Sequence, residues 1–322
     1  MDVERNISQR IWTGFSGFDY TFDVYDHYPP IYDRLKDVIP KTETSFQNFE
    51  LNTSIGCEMI CAAICHSINW DFLRKTIKEK TTDNVAWLTP EQLSQITPDE
   101  VEQLLKGYEK KERIRALERC KLLADIGKQL LKNQKSFKDL FFYSSILRSY
   151  EEIQECISQF DAFSKDPAEK KFRLLIQCVS DYEPLSTLSD YYKPTIDYHI
   201  TRLYVRRGIV LPVRQETVNF ILNDEIVRRE STVGALRTVC AESMNDISWL
   251  TQIDVKTVSR IEWWVARTIC VNGTPDCMLR GDDAKWAREH YERCPFYDIC
   301  KARKEENGFL SIDEPKYGGK SY

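Results

Sequence analysis

Four cysteines near the C-terminus, Cys270, Cys277, Cys294 and Cys300, are spaced C-x6-C-x16-C-x5-C. Thiolates bind metal, and four of them suit either a tetrahedral zinc or an iron–sulfur cluster. Both pairs have loop chemistry: "CVNGTPDC" carries Asn-Gly and Thr-Pro turns, and "CPFYDIC" opens on Cys-Pro. Tight loops let sulfurs converge on one centre, whereas a regular helix splays them apart. Zinc sites favour C-x2-C pairs, which this region lacks. The wider gaps of six and five suit a [4Fe–4S] cubane better; four thiols without a metal, or a zinc site, are the alternatives. The chain holds 11 cysteines, an odd number spread along its length. In a reducing compartment that pattern argues for metal ligands and buried thiols rather than a disulfide framework. Cys57, Cys61 and Cys65 recur every four residues among Ala and Ile, the pattern of packing residues on one helix face.

A second segment, "KPTIDYHITRLYVRRGIV", reads as a helix opened by Asp197 and ended at Gly208. An aspartate at that position caps orphan backbone N–H groups at the positive end of the helix dipole.

Around these residues the chain reads as almost all α. Gly and Pro are scarce, at 12 each. Thr89-Pro90-Glu91-Gln92 and Thr97-Pro98-Asp99-Glu100 each give a capping Thr, a Pro at the first helical position and an acid or amide at the third. A further helix is expected after Gly107, running to about Leu131, with an apolar stripe of Ile114, Leu117, Cys120, Leu123, Ile126 and Leu130. "SIGCEMICAAICHSINWDFLRKTIKEK" reads as a buried helix. Others are expected at 150–162, 168–181, 197–207, 214–229, 232–243 and 255–269. The first 50 residues are too rich in aromatics for a disordered tail and should pack on the body.

Composition bounds the class. The 322 residues suffice for one large or two ordinary domains. No apolar run approaches the ~18–20 residues a spanning helix needs. The charged start "MDVERNISQRIW" lacks a signal peptide's apolar core, so a cytoplasmic location is expected. The net charge of −5 does not mark a general nucleic-acid binder. Residues 106–138, however, hold eleven Lys or Arg against four Asp or Glu. That excess is either a solvated helical face or a surface turned to phosphates.

Both chemical segments resemble one family, the helix-hairpin-helix DNA glycosylases of the endonuclease III and 8-oxoguanine glycosylase type. Members of the endonuclease III branch end in a [4Fe–4S] loop of pattern C-x6-C-x2-C-x5-C. Cys270/Cys277 and Cys294/Cys300 match its outer gaps, and the middle gap here carries an insert, "LRGDDAKWAREHYE", expected to be helical. The Asp197 segment is similar to the family's "VDTHV-R-x-x-R-L-G-L-V", with Asp197 on the catalytic aspartate. His199, Arg202, Arg207 and Gly208 fall on the flanking positions. "LTPEQLSQITPDEVEQLLKGYEKKERIRALERCKLLADI" resembles the family's barrel segment.

The resemblance implies a bilobed all-α fold. A helical barrel with a hairpin-like segment would span 51–190. Residues 1–50 plus 191–322 would form a discontinuous second lobe that holds the cluster loop, 270–300. The active cleft is expected between the lobes, with Asp197 at its edge. The implied reaction is cleavage of the N-glycosidic bond of a modified or damaged base. Such cleavage leaves an oxocarbenium-like sugar, which a fixed carboxylate stabilises while it orients the attacking nucleophile. His199 is expected to act as a buried structural hydrogen-bonder. Some members use a hairpin lysine as a Schiff-base nucleophile; Lys170 is the nearest match here, with Lys171 next. The implied partner is nucleic acid or a nucleotide with a modified base. The chain also departs from the family. The hairpin position reads "FSKDPAEKK", without the glycines that admit a phosphate, and "VNGTPD" has no Lys or Arg. A non-catalytic binding protein that keeps the fold is therefore the alternative.

Overall fold

The computed structural model describes residues 18–20, 28–38, 45–166, 169–212, 230–273, 275, 277 and 294–304. The helix expected at 214–229, most of the first 50 residues and the insert between Cys277 and Cys294 lie outside them. The described residues are mostly helical, with two short antiparallel strand pairs. By its internal contacts the chain divides into two compact units. One spans Lys41–Tyr192, and the other joins Met1–Pro40 to Lys193–Lys320.

The discontinuous unit opens with β1 (Phe18–Tyr20) and α1 (Tyr28–Val38). The chain then builds the continuous unit from α2 (Leu51–Ile64), α3 (Trp70–Asp83), α4 (Pro90–Ser94), α5 (Pro98–Leu104) and α6 (Ala116–Lys132). The hairpin β2 (Phe142–Tyr143) and β3 (Ile146–Leu147) follows, then α7 (Tyr150–Ser158), α8 (Asp161–Ser164) and α9 (Lys170–Val179). The discontinuous unit resumes with α10 (Tyr198–Arg207), β4 (Val210–Pro212), α11 (Glu230–Thr251), α12 (Val255–Thr268) and α13 (Lys301–Lys304). β4 pairs antiparallel with β1, Val210 opposite Tyr20.

In the continuous unit α2 is the central helix, buried on every side from Ser54 to Ile64. Cys57 and Cys61 lie inside it. Burial pushes the Cys57 thiol up to about 12 and the Cys61 thiol well above its ordinary value. Both behave as packing residues rather than reactive thiols. The single helix read across this stretch is two. Asn69 breaks it and caps α3, its side chain accepting from Phe72 N at 2.9 Å. Both Thr-Pro signatures cap as expected: Thr89 caps α4, and Thr97 forms a full capping box with Glu100 on α5.

Two expectations need correction. The helix after Gly107 starts only at Ala116, because Arg115 takes a left-handed φ of 44°. The preceding run, "YEKKER", is charged and has no apolar face to bury. Within α6 the stripe holds at Cys120, Leu123, Ile126 and Leu130, but Leu117 is 59% exposed. Arg119 takes the inward place instead. It is fully buried and donates to the carbonyls of Ile64 and His66 at the open C-terminal end of α2. The segment 150–162 is likewise two helices, α7 and α8, separated by extended Phe160.

The core of the discontinuous unit gathers Tyr32 and Leu35 of α1, Ile200, Leu203 and Tyr204 of α10, Val239 and Met244 of α11, and Val258, Ile261 and Val265 of α12. Phe296 and Ile299 join it, and Cys270 and Cys294 pack against it.

Candidate functional site

Helix α10 organises the site. It starts at Asp197, whose Oδ1 accepts from the backbone N–H of His199 at 2.9 Å and of Ile200 at 3.1 Å. The carboxylate is 8% exposed and lies at the positive end of the helix. The helix stops at Gly208, which takes a left-handed φ of 73°. A Cβ there would run into the Lys301 side chain, so the same glycine lets α13 approach closely.

Three arginines on this short helix are buried: Arg202, Arg206 and Arg207. Arg202 and Arg206 are four apart and share a face. Arg202 donates from Nε to Cys270 O at 3.0 Å and from Nη2 to Ala266 O at 2.6 Å. Ala266 O is a carbonyl of the last turn of α12, where intrahelical donors run out, and Cys270 O lies just beyond that end. Arg206 donates from Nη1 to Val271 O at 2.8 Å and from Nη2 to Gly273 O at 3.2 Å. Its Nη1 also stands 3.6 Å from Cys270 Sγ. The loop that begins at Cys270 is therefore clasped by two guanidinium groups. Gly273, the second residue of the Asn-Gly turn, has a φ of 74°, as a tight turn requires.

Arg207 points the other way. Its Nη1 lies 2.7 Å from both oxygens of Glu262 on α12, and both side chains are buried. Tyr32 of α1 donates to the same carboxylate. The Arg207 guanidinium also stacks 3.8 Å from the centre of the Phe296 ring. One ion pair thus joins α1, α10, α12 and the "CPFYDIC" segment.

The second pair of cysteines is held by that segment's own turns. Tyr297 N donates to Cys294 O at 3.0 Å, and Ile299 N to Phe296 O at 3.1 Å. Cys300 Sγ donates to Arg206 O at 3.5 Å.

Cys270, Cys277, Cys294 and Cys300 all line one cavity, together with Leu203, Arg206, Arg207, Ile269, Pro275, Phe296 and Tyr297. The thiols sense one another electrostatically. Burial pushes the Cys294 thiol well up, and the other three cysteines push it further, against a hydrogen bond from Phe296 N. Among the described residues no three His, Cys, Asp or Glu groups are closed up around a single point. The four thiols instead ring the cavity. Four sulfurs, apolar walls and adjacent guanidinium groups fit an iron–sulfur cluster, whose thiolates are anionic and whose shell is largely dry.

His199 is half-buried rather than buried. Its Nδ1 lies 3.3 Å from Arg202 Nη2, and because a guanidinium only donates, Nδ1 is the acceptor. It therefore links Asp197's first turn to the arginine that holds Cys270. Lys170 belongs to the continuous unit, at the first position of α9, where it is half-buried. Its neighbour Lys171 is the buried amine: Nζ donates to Ala63 O at 2.8 Å, and burial holds its pKa below the usual lysine value.

Sequence reasoning missed Arg206 and Glu262. The signal for Glu262 was available: it falls on the apolar stripe of α12 with Val258, Val265 and Ala266, where an unpaired acid would be costly. The chain matches no protein-family model and no curated protein sequence.

Proposed function

We propose that the protein is an N-glycosylase of the helix-hairpin-helix glycosylase type, acting on a modified or damaged base. Asp197 is the catalytic carboxylate. Cys270, Cys277, Cys294 and Cys300 hold a [4Fe–4S] cluster, with zinc as the alternative metal. The observation that carries this reading is the shared helix: Asp197 caps α10, and Arg206 of α10 lines the cavity that all four cysteines ring. The helix that Asp197 opens thus also lines the cavity of the four cysteines. The bound cluster would supply structure, tying the loop at Cys270 to the segment at Cys294–Cys300. Asp197 would stabilise the developing sugar cation and orient the nucleophile. Of the two candidate lysines, Lys171 has the lowered pKa that a Schiff-base nucleophile needs, but its amine is spent on Ala63 O.

The test uses purified metal-loaded protein and a panel of oligonucleotides and nucleotides carrying modified bases. Asp197→Asn keeps a capping oxygen and removes the charge. Base release should fall on the order of a hundredfold or more with folding unchanged. No release by the wild type, or equal release by the variant, would overturn the reading. One observation favours a binding protein instead: Asp197 is buried, and Oδ1 is already used by two backbone N–H groups. In that case ligand binding survives Asp197→Asn, and no base is released by either protein.

A further inference from the structure

The hairpin between α6 and α7 presents an apolar pair to solvent. Tyr143 and Ile146 face one another across the two strands and are 70% and 72% exposed. Side chains alternate along a strand, so the partner pair Phe142 and Leu147 takes the opposite face. Phe142 is buried in the core and Leu147 packs against it. The hairpin is therefore anchored rather than loosely hung. Its base is held by Arg148 N to Phe141 O at 2.8 Å and by Lys138 N to Asn52 Oδ1 at 2.9 Å. Exposure of Tyr143 and Ile146 follows from this anchoring. The turn itself is locally unfavourable, with Ser144 at a left-handed φ of 56° where Asn or Gly is the easy choice.

One cation backs the exposed pair. The Arg148 guanidinium lies 5.7 Å from the centre of the Tyr143 ring, while Lys138 Nζ lies 5.7 Å from that of buried Phe142 on the opposite face. Lys132 and Lys135 precede them in the chain. Along α6, Lys121, Lys128 and Lys132 are exposed and fall on one helical face, at seven- and four-residue spacing. This is the basic stretch 106–138 that the rest of the function leaves unused. Acids lie among these cations, each accepting a hydrogen bond: Asp125, between Lys121 and Lys128 on α6, accepts from Asp161 N, Asp139 from Ser136 N and Oγ, and Glu152 from Ser149 N in the capping box of α7.

We propose that the Tyr143–Ile146 hairpin tip is a stacking platform for an unpaired base of single-stranded nucleic acid, whose phosphates follow the lysines of α6 and the loop after it. A polyanion that also carries flat apolar rings matches both halves of the surface: the ring already backed by an arginine, and the line of ammonium groups. An acidic peptide would satisfy the lysines and leave the exposed aromatic face unused. The proposal rests on the nucleic-acid reading above but not on catalysis by Asp197.

The experiment follows fluorescence anisotropy of labelled, unmodified single-stranded DNA and RNA with the full metal-loaded chain. Unmodified bases give no substrate, so binding here is independent of base release. Tyr143→Ala should weaken binding about tenfold or more, the usual effect of removing a stacking aromatic, while Tyr143→Phe stays within about twofold. Lys128→Gln with Lys132→Gln should lessen the salt dependence. Tyr143 is exposed, so an unchanged circular dichroism spectrum is expected and checks the fold. Three outcomes would overturn the proposal: no oligonucleotide binding by the wild type, equal binding by Tyr143→Ala, or a dimer in solution that Tyr143→Ala dissolves.

Discussion

Arg206 Nη1 stands 3.6 Å from Cys270 Sγ, and the carbonyl of the same arginine accepts from Cys300 Sγ at 3.5 Å. One residue therefore touches a cysteine from each pair across the wide gap in the motif. Its guanidinium also donates to Val271 O and Gly273 O. Arg206→Gln removes the fork and leaves buried carbonyls without donors. A loss of about 3 kcal/mol in stability is expected, together with less metal retained per chain after dialysis. Arg206→Lys should rescue little, because one compact ammonium cannot reach acceptors that the planar guanidinium serves from two separate nitrogens. Iron and zinc assays with thermal melts decide it. Full metal content and an unchanged melt would show that the arginine is incidental.

The Arg207–Glu262 pair is buried, with the single nitrogen Nη1 reaching both carboxylate oxygens and Tyr32 on the same carboxylate. Removing one partner leaves an uncompensated buried charge, so Glu262→Gln should cost about 3–5 kcal/mol. Removing both in Arg207→Met with Glu262→Leu should cost clearly less than the two single losses added together. Urea titrations of Arg207→Met, Glu262→Leu and the double variant measure this. A double variant as unstable as the sum of the singles would mean that the two residues act separately.

The parts of this molecule that were legible in the sequence are those whose signals are local. Thr97 and Glu100 announce a capping box through their spacing alone, and Asp197 and Gly208 mark both ends of α10. The helical class follows from such signals. Where tertiary contacts decide, the sequence is mute or misleading. Arg119 fits a solvated helical face by composition, yet it is buried, because α2 ends inside the unit and needs donors for its last carbonyls. Leu117 has the right spacing for the core and lies outside it. The spacing of the four cysteines already points to one site, but the Arg206 contacts and the turns after Cys294 that bring all four to line one cavity are tertiary.

His66 makes a pH-dependent contribution whose sign can be worked out. It is 1% exposed, and neither ring nitrogen has a hydrogen-bond partner. Its Nε2 lies 3.5 Å from Glu118 Oε1, close enough for an ion pair only if the ring were charged. Burial, then the charges of Lys171, Arg119, Arg115 and Lys170, lower its pKa from 6.5 to about 2. The folded ring therefore stays neutral while the unfolded one takes up a proton as pH falls below about 6.5. Because the unfolded state binds more protons in that window, stability rises with pH across it and falls as the solution is acidified. The slope approaches about 1.4 kcal/mol per pH unit from this residue alone. Above about pH 7 both states are neutral and the contribution is constant. His66→Gln removes the titration, so its stability should fall less than that of the wild type between pH 7.5 and pH 5. Urea midpoints at the two pH values for both proteins give the comparison, in which carboxylates elsewhere cancel. Parallel losses in the two proteins would place His66 in contact with solvent protons in the folded state, against its burial.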